Sequence, residues 1–325
     1  KSKKELNEDK TQRFFNDLLD LNLSDLSRHW IEDILQTKNP VYISVIKQEG
    51  KASLRPLFIH TLNALDALPF LKNDHQSLAV FAAEITGDPH AFDTGTYLNY
   101  LLIQGISYTL DILDAPETAR SNTQTLLKAG LLKEDINNFC SIYGFSAIKD
   151  NVPHPAWEGF YTLKESWNAN LNNILNVDSI DLKDTTAVYI IENPSIFEAL
   201  IKVAQKDNLP LGFVCSNGQP TQAVYAMLDK LQETQIKMYY AGDFDPEGLL
   251  MAQRLLNQYS SLDLWLYEED HFFHQVSNKK ASLERIKMHE NLVDERLINI
   301  AELIEEIGIG YQENMLKVYI KEIYK

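Results

Sequence analysis

The sequence predicts an α/β domain with a parallel sheet in its C-terminal half, preceded by a mainly helical N-terminal domain. Two observations predict it. From about Thr185 onward, β-branched apolar runs alternate with amphipathic stretches of about 10–15 residues, the pattern of βαβ units in a sheet buried on both faces. Before about residue 150, apolar residues recur instead at helical spacing.

Taken in order, Glu5 to Leu21 sets Leu6, Phe14, Phe15, Leu18 and Leu19 on one helical stripe, and Leu26 to Leu35 continues it. Gly87-Asp88-Pro89-His90 reads as a turn, followed by Asp93-Thr94-Gly95-Thr96 and an apolar helix from Tyr97 to about Leu113. A further helix is expected from about Pro116 to Ala129, closed by Gly130 as a C-cap. Phe139 to Ile148 reads as a short strand pair. Helix, turn, helix and hairpin outline a winged-helix unit over about 100–150, the end of a domain covering 1–150. Asp150-Asn151-Val152-Pro153-His154-Pro155 opens an expected linker over 151–180.

The catalytic domain is expected over 181–275 and C-terminal helices over 276–325. Its elements are a strand at Thr186–Ile191, a helix at Pro194–Gln205 and a strand at Leu211–Cys215. A helix at Pro220–Leu231, a strand at Ile236–Ala241, a helix at Pro246–Tyr259 and a strand at Leu262–Tyr267 complete it. The final segment, Val293 to Tyr324, reads as helical.

Composition bounds the function. The 325 residues are 45% hydrophobic and 23% charged, as in ordinary globular proteins. No run of about 18 apolar residues exists to span a membrane. The charged start (Lys1, Lys3, Lys4, Glu5) carries no apolar run, which excludes a signal peptide there, and opening on Lys1 leaves open whether further sequence precedes it. Cys140 and Cys215 lie in apolar surroundings without CxxC spacing, so two reduced, buried cysteines in a cytoplasmic protein are expected. Net charge is −16, with 15 basic against 20 acidic residues in 1–150 and 15 against 26 in 151–325. A protein so acidic lacks the basic footprint of a strong nucleic-acid binder and would need a local patch, a bound metal or partners to hold DNA.

Chemistry in a doubly wound sheet collects at the carboxyl ends of its strands. There the chain puts Glu192-Asn193-Pro194-Ser195, Ser216-Asn217-Gly218-Gln219-Pro220 and Gly242-Asp243-Phe244-Asp245-Pro246-Glu247-Gly248. Residues two apart in extended chain project to one side, so Asp243 and Asp245 can converge, with Glu192 supplied by a neighbouring strand end. Three clustered carboxylates call for a cation, and an all-oxygen set suits Mg²⁺ or Mn²⁺ rather than Zn²⁺. Taken singly, each has a structural explanation: Pro246 makes Asp245 an N-cap, Pro194 makes Asn193 one, and Ser195 with Glu198 resembles a capping box. Ser216, Asn217 and Gly218 are expected to form the turn or to contact phosphate.

A Glu closing one strand and Asp-x-Asp closing a later one resemble the Toprim domain of topoisomerases, primases and several nucleases. The stretch Gly242–Gly248 looks most like the Toprim of the topoisomerase VI A subunit. Ile85 to Thr96, Ile191-Glu192-Asn193-Pro194 and Val214 to Pro220 resemble the nuclease subunit of type II Wadjet plasmid-defence systems (JetD-like). Tyr311-Gln312-Glu313 is a fainter echo. The resemblance spans about 80–260 and implies a prokaryotic metal-dependent endonuclease working beside an SMC-type ATPase complex on plasmid DNA. It makes Glu192, Asp243 and Asp245 the metal ligands and catalytic residues, and leaves a homodimer open. Where that family carries an aromatic after Asp245, this chain has Pro246-Glu247, so Glu247 is either an extra ligand or an exposed first-turn residue.

A strand-passage subunit would need a Tyr nucleophile. Tyr108 and Tyr143 stand at suitable positions but lack basic neighbours, which favours water. His90, His154, His271 and His274 show no ligand spacing. Lys279, Lys280, Arg285 and Lys287 form the basic cluster nearest the catalytic half, either a DNA-phosphate patch or a solvated helix face. The third reading is a non-catalytic docking subunit with a degenerate site.

Overall fold

The computed structural model describes residues 3–37, 54–112, 119–133 and 137–324. The chain divides into two compact units, Lys1–Glu134 and Asp135–Lys325. No helix among the described residues is long and apolar enough to cross a membrane.

The first unit is helical, with α1 (Lys3–Leu19), α2 (Asp25–Thr37), α3 (Leu54–Asp66), α4 (Leu78–Thr86), α5 (Tyr97–Thr109) and α6 (Ala119–Lys128). A two-residue parallel pair joins β1 (Gln76–Ser77), just before α4, to β2 (Leu131–Leu132), just after α6. The stripe read on the first helix is its core face: Phe15 and Leu18 are fully buried beside Trp30, Phe58 and Leu62, while Phe14 and Leu19 pack at the margin. Leu6 lies outside the residues with described side chains, and Leu113 and Pro116 lie outside the described residues. Thr96 caps α5 by accepting from Asn99 N at 3.0 Å. Gly130, at φ 81°, ends α6, where a Cβ would lie 2.6 Å from Asp74 O.

The second unit holds a six-stranded sheet in the order β11-β10-β8-β9-β3-β6. Its strands are β3 (Phe139–Tyr143), β6 (Trp167–Asn170), β8 (Ala187–Ile191), β9 (Leu211–Cys215), β10 (Met238–Ala241) and β11 (Leu262–Leu264). β8, β9, β10 and β11 are parallel, β3 is antiparallel to β9, and β6 is antiparallel to β3. β4 (Ser146–Lys149), β5 (Val152–Pro153) and β7 (Ser179–Asp181) form a separate three-stranded sheet.

Two expectations are corrected here. β3 and β4 do not pair: one lies inside the large sheet and the other in the small one, and both belong to the second unit. The winged-helix outline over about 100–150 is therefore not formed. The reason is burial, since Cys140, Ile142 and Tyr143 are all core residues and β3 is an interior strand, not a wing. Likewise 151–180 is folded, carrying β5, α7 (Pro155–Leu163), β6, α8 (Leu171–Leu175) and the start of β7. Trp157 is buried edge-on to Trp167, which stacks on Phe160; Pro153 closes a hairpin strand and Pro155 opens a helix, so the segment is no linker.

The winding of the sheet locates its crevice. After β8 the chain passes through α9 (Pro194–Asp207) to β9 on one side, then through α10 (Gln222–Glu233) back across to β10 on the other. α9 covers one face, with Ile196, Phe197, Leu200 and Ile201 against Tyr189, Ile191, Phe213 and Cys215. On the opposite face α10 approaches Cys140, and Tyr240 reaches Met251 of α11 (Pro246–Gln258). The direction of winding thus reverses between β8 and β10, which makes their carboxyl ends the switch point where doubly wound sheets bind ligands.

Beyond β11 follow α12 (Glu269–Gln275), the short α13 (Leu283–Ile286) and a 3-10 turn at Lys287–Asn291. The expected final helix is two, α14 (Glu295–Glu306) and α15 (Leu316–Glu322), because Gly308 at φ 145° and Gly310 break it. Gly310 exchanges hydrogen bonds with Phe244 (3.0 and 2.8 Å), which brings the C-terminal segment onto the carboxyl edge of the sheet.

Candidate carboxylate site

Register sets the site. Ala241 pairs with Ile191 and Ile191 with Cys215, so Gly242, Glu192 and Ser216 stand abreast just past three adjacent strands. Ile191 lies in the core on the α9 face, so Glu192 turns to the other face, where Tyr240 also points. Its Oε2 accepts from Tyr240 Oη and from Asp243 N, both at 3.3 Å. Only glycine fits beside it: a Cβ on Gly242 would lie 2.5 Å from Glu192 Oε2.

Asp243 and Asp245 flank Phe244, which is buried against Tyr267 and Phe272 and pinned to Gly310. With Phe244 turned inward, both Asp side chains project the other way. Asp243 Oδ1 accepts from Gln312 N at 2.7 Å. Asp245 is the N-cap of α11, its Oδ1 accepting from Gly248 N at 2.8 Å. Its Oδ2 takes Arg285 at 2.7 Å, and the same guanidinium reaches Glu247 through Nε at 2.8 Å and through a terminal nitrogen. Glu247 is thus an ion-pair partner in this arrangement.

The next strand end holds a tight turn. Asn217 and Gly218 have φ of 55° and 92°, Gly218 N donates to Glu192 O at 3.2 Å, and Ser216 is buried with no partner for its hydroxyl among the described residues. Asn193 caps α9 through Ser195 N (2.8 Å). Glu198 pairs with Lys202, so the capping box read at Ser195 and Glu198 is not formed. A 3-10 turn at Gln312–Met315 clamps both sides of the cleft: Gln312 Oε1 accepts from Asn193 N at 3.1 Å, and Glu313 Oε1 from Asn193 Nδ2 at 2.6 Å.

Burial governs the electrostatics. It raises Glu192 to about 7, helped by the charges of Asp243 and Asp245. Burial likewise raises Asp243 to about 6 against the hydrogen bond from Gln312, with Glu313 and Asp245 adding to the rise. Asp245 is also raised, burial outweighing Gly248 N and Arg285, whereas the Arg285 hydrogen bonds hold Glu247 low. Among the described residues no group of three or more His, Cys, Asp or Glu side chains is arranged to hold a metal ion. Asp245 and Glu247 are both turned onto Arg285.

The basic cluster is divided. Arg285 serves the two carboxylates, Lys280 donates to Glu306 O at the end of α14, and Lys279 and Lys287 are exposed. Tyr108 sits on α5 of the first unit, and Tyr143 is buried in β3. His90 pairs with Asp93 (2.9 Å), His271 lies 2.6 Å from Glu268, His274 is exposed, and His154 precedes α7. Cys140 and Cys215 are free and buried, burial pushing the Cys215 thiol up to about 12. Gln312, Tyr240 and the Arg285 latch had no signal in the sequence beyond the faint likeness at Tyr311-Gln312-Glu313.

Two family models match the chain. One, described as protein of unknown function C-terminus (DUF2399), covers residues 167–323, and the other, protein of unknown function N-terminus (DUF3323), covers residues 1–147. No curated protein matches it.

Proposed function

We propose that this chain, similar over its two halves to that pair of families, is a Toprim-type, metal-dependent DNA endonuclease that acts on plasmid DNA beside an SMC-type ATPase complex. The observation that carries the reading is the meeting of Glu192 and Asp243 at the switch point between β8 and β10, Asp243 N donating to the Glu192 carboxylate. The sequence likeness to Toprim supplies the family.

The donor set fits Mg²⁺ or Mn²⁺. It is all oxygen, its carboxylates are half-buried, and among the described residues no basic side chain neutralises Glu192 or Asp243. Glu192, Asp243 and Asp245 would hold the ion, with Glu247 a further candidate. When bound, such an ion polarises a phosphoryl oxygen and lowers the pKa of water. The chain's own residues prepare the place. Tyr240 and Asp243 N orient Glu192, Gln312 N fixes Asp243, and the buried Phe244 fixes the backbone between the aspartates.

The grip of Arg285 on Asp245 and Glu247 favours one second reading, a non-catalytic docking subunit whose site has become an ion pair. A cleavage assay on supercoiled plasmid separates the two. With the partner complex and Mg²⁺ or Mn²⁺, the endonuclease reading expects linear product from the native chain and none from Asp243→Asn. Native protein that binds Mn²⁺ and the partner complex yet never cuts would establish the docking role.

A further inference from the structure

We propose that Arg285 is the resident counter-cation of this site, which a divalent cation must displace from Asp245 and Glu247 before it can bind there. The proposal rests on the reading of Glu192, Asp243 and Asp245 as a cation site.

Competition for the same atoms is the first argument. The guanidinium hydrogen-bonds Asp245 Oδ2 and both oxygens of Glu247, and Asp245 Oδ1 is committed to Gly248 N. A divalent ion bound through Asp245 therefore needs an oxygen that Arg285 now holds. Arg285 neutralises this side of the cluster only, while Glu192 and Asp243 keep their like-charge conflict. The ion would gain most by joining the two sides, which requires Arg285 to leave.

The carrier of Arg285 is the second argument. Residues 278–291 contain no buried residue, α13 and the following turn included, and Leu283 is 82% exposed. The strap is pinned at both ends. On one side Ser277 N donates to Ile309 O and Ile309 N to Lys279 O, at 2.8 and 2.9 Å. On the other, Val293 N and Asp294 N donate to Gln253 Oε1, at 2.6 and 2.8 Å. Between the pins, Arg285 fastens it to the start of α11, and His289 meets Glu305 at 3.1 Å. Releasing Arg285 forfeits little apolar burial, since its side chain is already 30% exposed. Once freed, its planar fork suits a phosphodiester, so substrate offers it a replacement for the carboxylates.

The test is Mn²⁺ titration of the full chain, read from the electron paramagnetic resonance of free Mn²⁺, on native protein, Arg285→Gln, Arg285→Lys and Asp243→Asn. Arg285→Gln should bind Mn²⁺ on the order of tenfold tighter, since it removes charged hydrogen bonds that compete with the ion. Arg285→Lys, which keeps the charge but loses the fork, should fall between. In native protein, Mn²⁺ should speed backbone amide exchange over 278–291, a readout that needs no variant. A merely structural ion pair predicts a lower Tm for Arg285→Gln with unchanged Mn²⁺ affinity and unchanged exchange. That outcome, with binding still lost in Asp243→Asn, overturns the latch and leaves the cation site standing. No Mn²⁺ binding by any form overturns both.

Discussion

The carboxylates at the switch point fall into two halves with the same formal charge and opposite treatment. Asp245 and Glu247 open a helix and share one guanidinium. Glu192 and Asp243 are oriented by a phenol and two backbone amides, and among the described residues meet no basic side chain. Arrangements built for stability alone pair buried charges, as the first half does. Leaving the second half unpaired costs stability, and such costs concentrate where a ligand completes the arrangement. The difference points to Glu192 and Asp243 as the functional half and to Asp245 as the hinge between the two.

Neutralising one member of the unpaired half should have the largest effect. Asp243→Asn keeps an oxygen to accept from Gln312 N and removes the charge. Cation-dependent cleavage should fall about 10³-fold, equivalent to about 4 kcal/mol of transition-state stabilisation, with Tm unchanged or higher. The same change at Glu247 should matter far less, and equal losses from the two variants would erase the distinction between the halves.

Gly242→Ala attacks the unpaired half sterically. Its Cβ would meet Glu192 Oε2 at 2.5 Å and Tyr240 Oη at 2.7 Å, so the carboxylate must leave its place over Asp243 N. We expect about 1–3 kcal/mol of destabilisation in a denaturant titration, with weaker Mn²⁺ binding. Unaltered Mn²⁺ affinity would show that the position of Glu192 is immaterial.

Most of this was legible in the sequence, though unevenly. Strand runs such as Leu211–Cys215, bounded by Pro210 and the Asn217-Gly218 turn, declare themselves, and prolines at 194 and 246 mark the first turns of α9 and α11. The site carboxylates followed, because they close those strands. β6, by contrast, is Trp-Asn-Ala-Asn, with little β propensity, and is held by pairing with β3 and by Trp167 packing. Arg285 reaches Asp245 across 40 residues and Gln312 reaches Asp243 across 69, contacts that no local periodicity announces.

Stability against pH offers a quieter comparison. Glu192 and Asp243 titrate higher in the folded chain than the usual carboxylate range, so the fold binds more protons than the unfolded chain between those limits. Their contribution is complete below about pH 4 and is lost as pH rises through about 6 and 7, by on the order of 2 kcal/mol for Glu192. Glu247, held low by Arg285, contributes with the opposite sign, its stabilisation present at neutral pH and lost on acidification. Without divalent ions, Glu192→Gln should flatten the decline between pH 5 and pH 8 seen in Tm. A native Tm that rises over that interval, and a Glu192→Gln curve parallel to it, would contradict the uncompensated charge.

The smallest effect lies at the rim. Arg285 and Lys280 are engaged by the protein itself, so of the basic cluster only Lys279 and Lys287 remain exposed for phosphate. Two lysines cannot offset a net charge of −16, whose repulsion of DNA is screened only over about 8 Å at physiological salt. The isolated chain should therefore bind plasmid weakly and cut little, and the SMC-type complex should activate it by delivering DNA to the cleft. Charge reversal at Lys279 and Lys287 should slow cutting a few-fold and lower the salt dependence by about one per lost phosphate contact, with Mn²⁺ affinity unchanged. Cleavage rates across a salt series, with and without the partner complex, read both quantities at once. Strong cutting by the chain alone at low protein concentration would refute delivery while leaving the carboxylate site intact, because the paired and unpaired halves differ whether or not a partner brings the DNA.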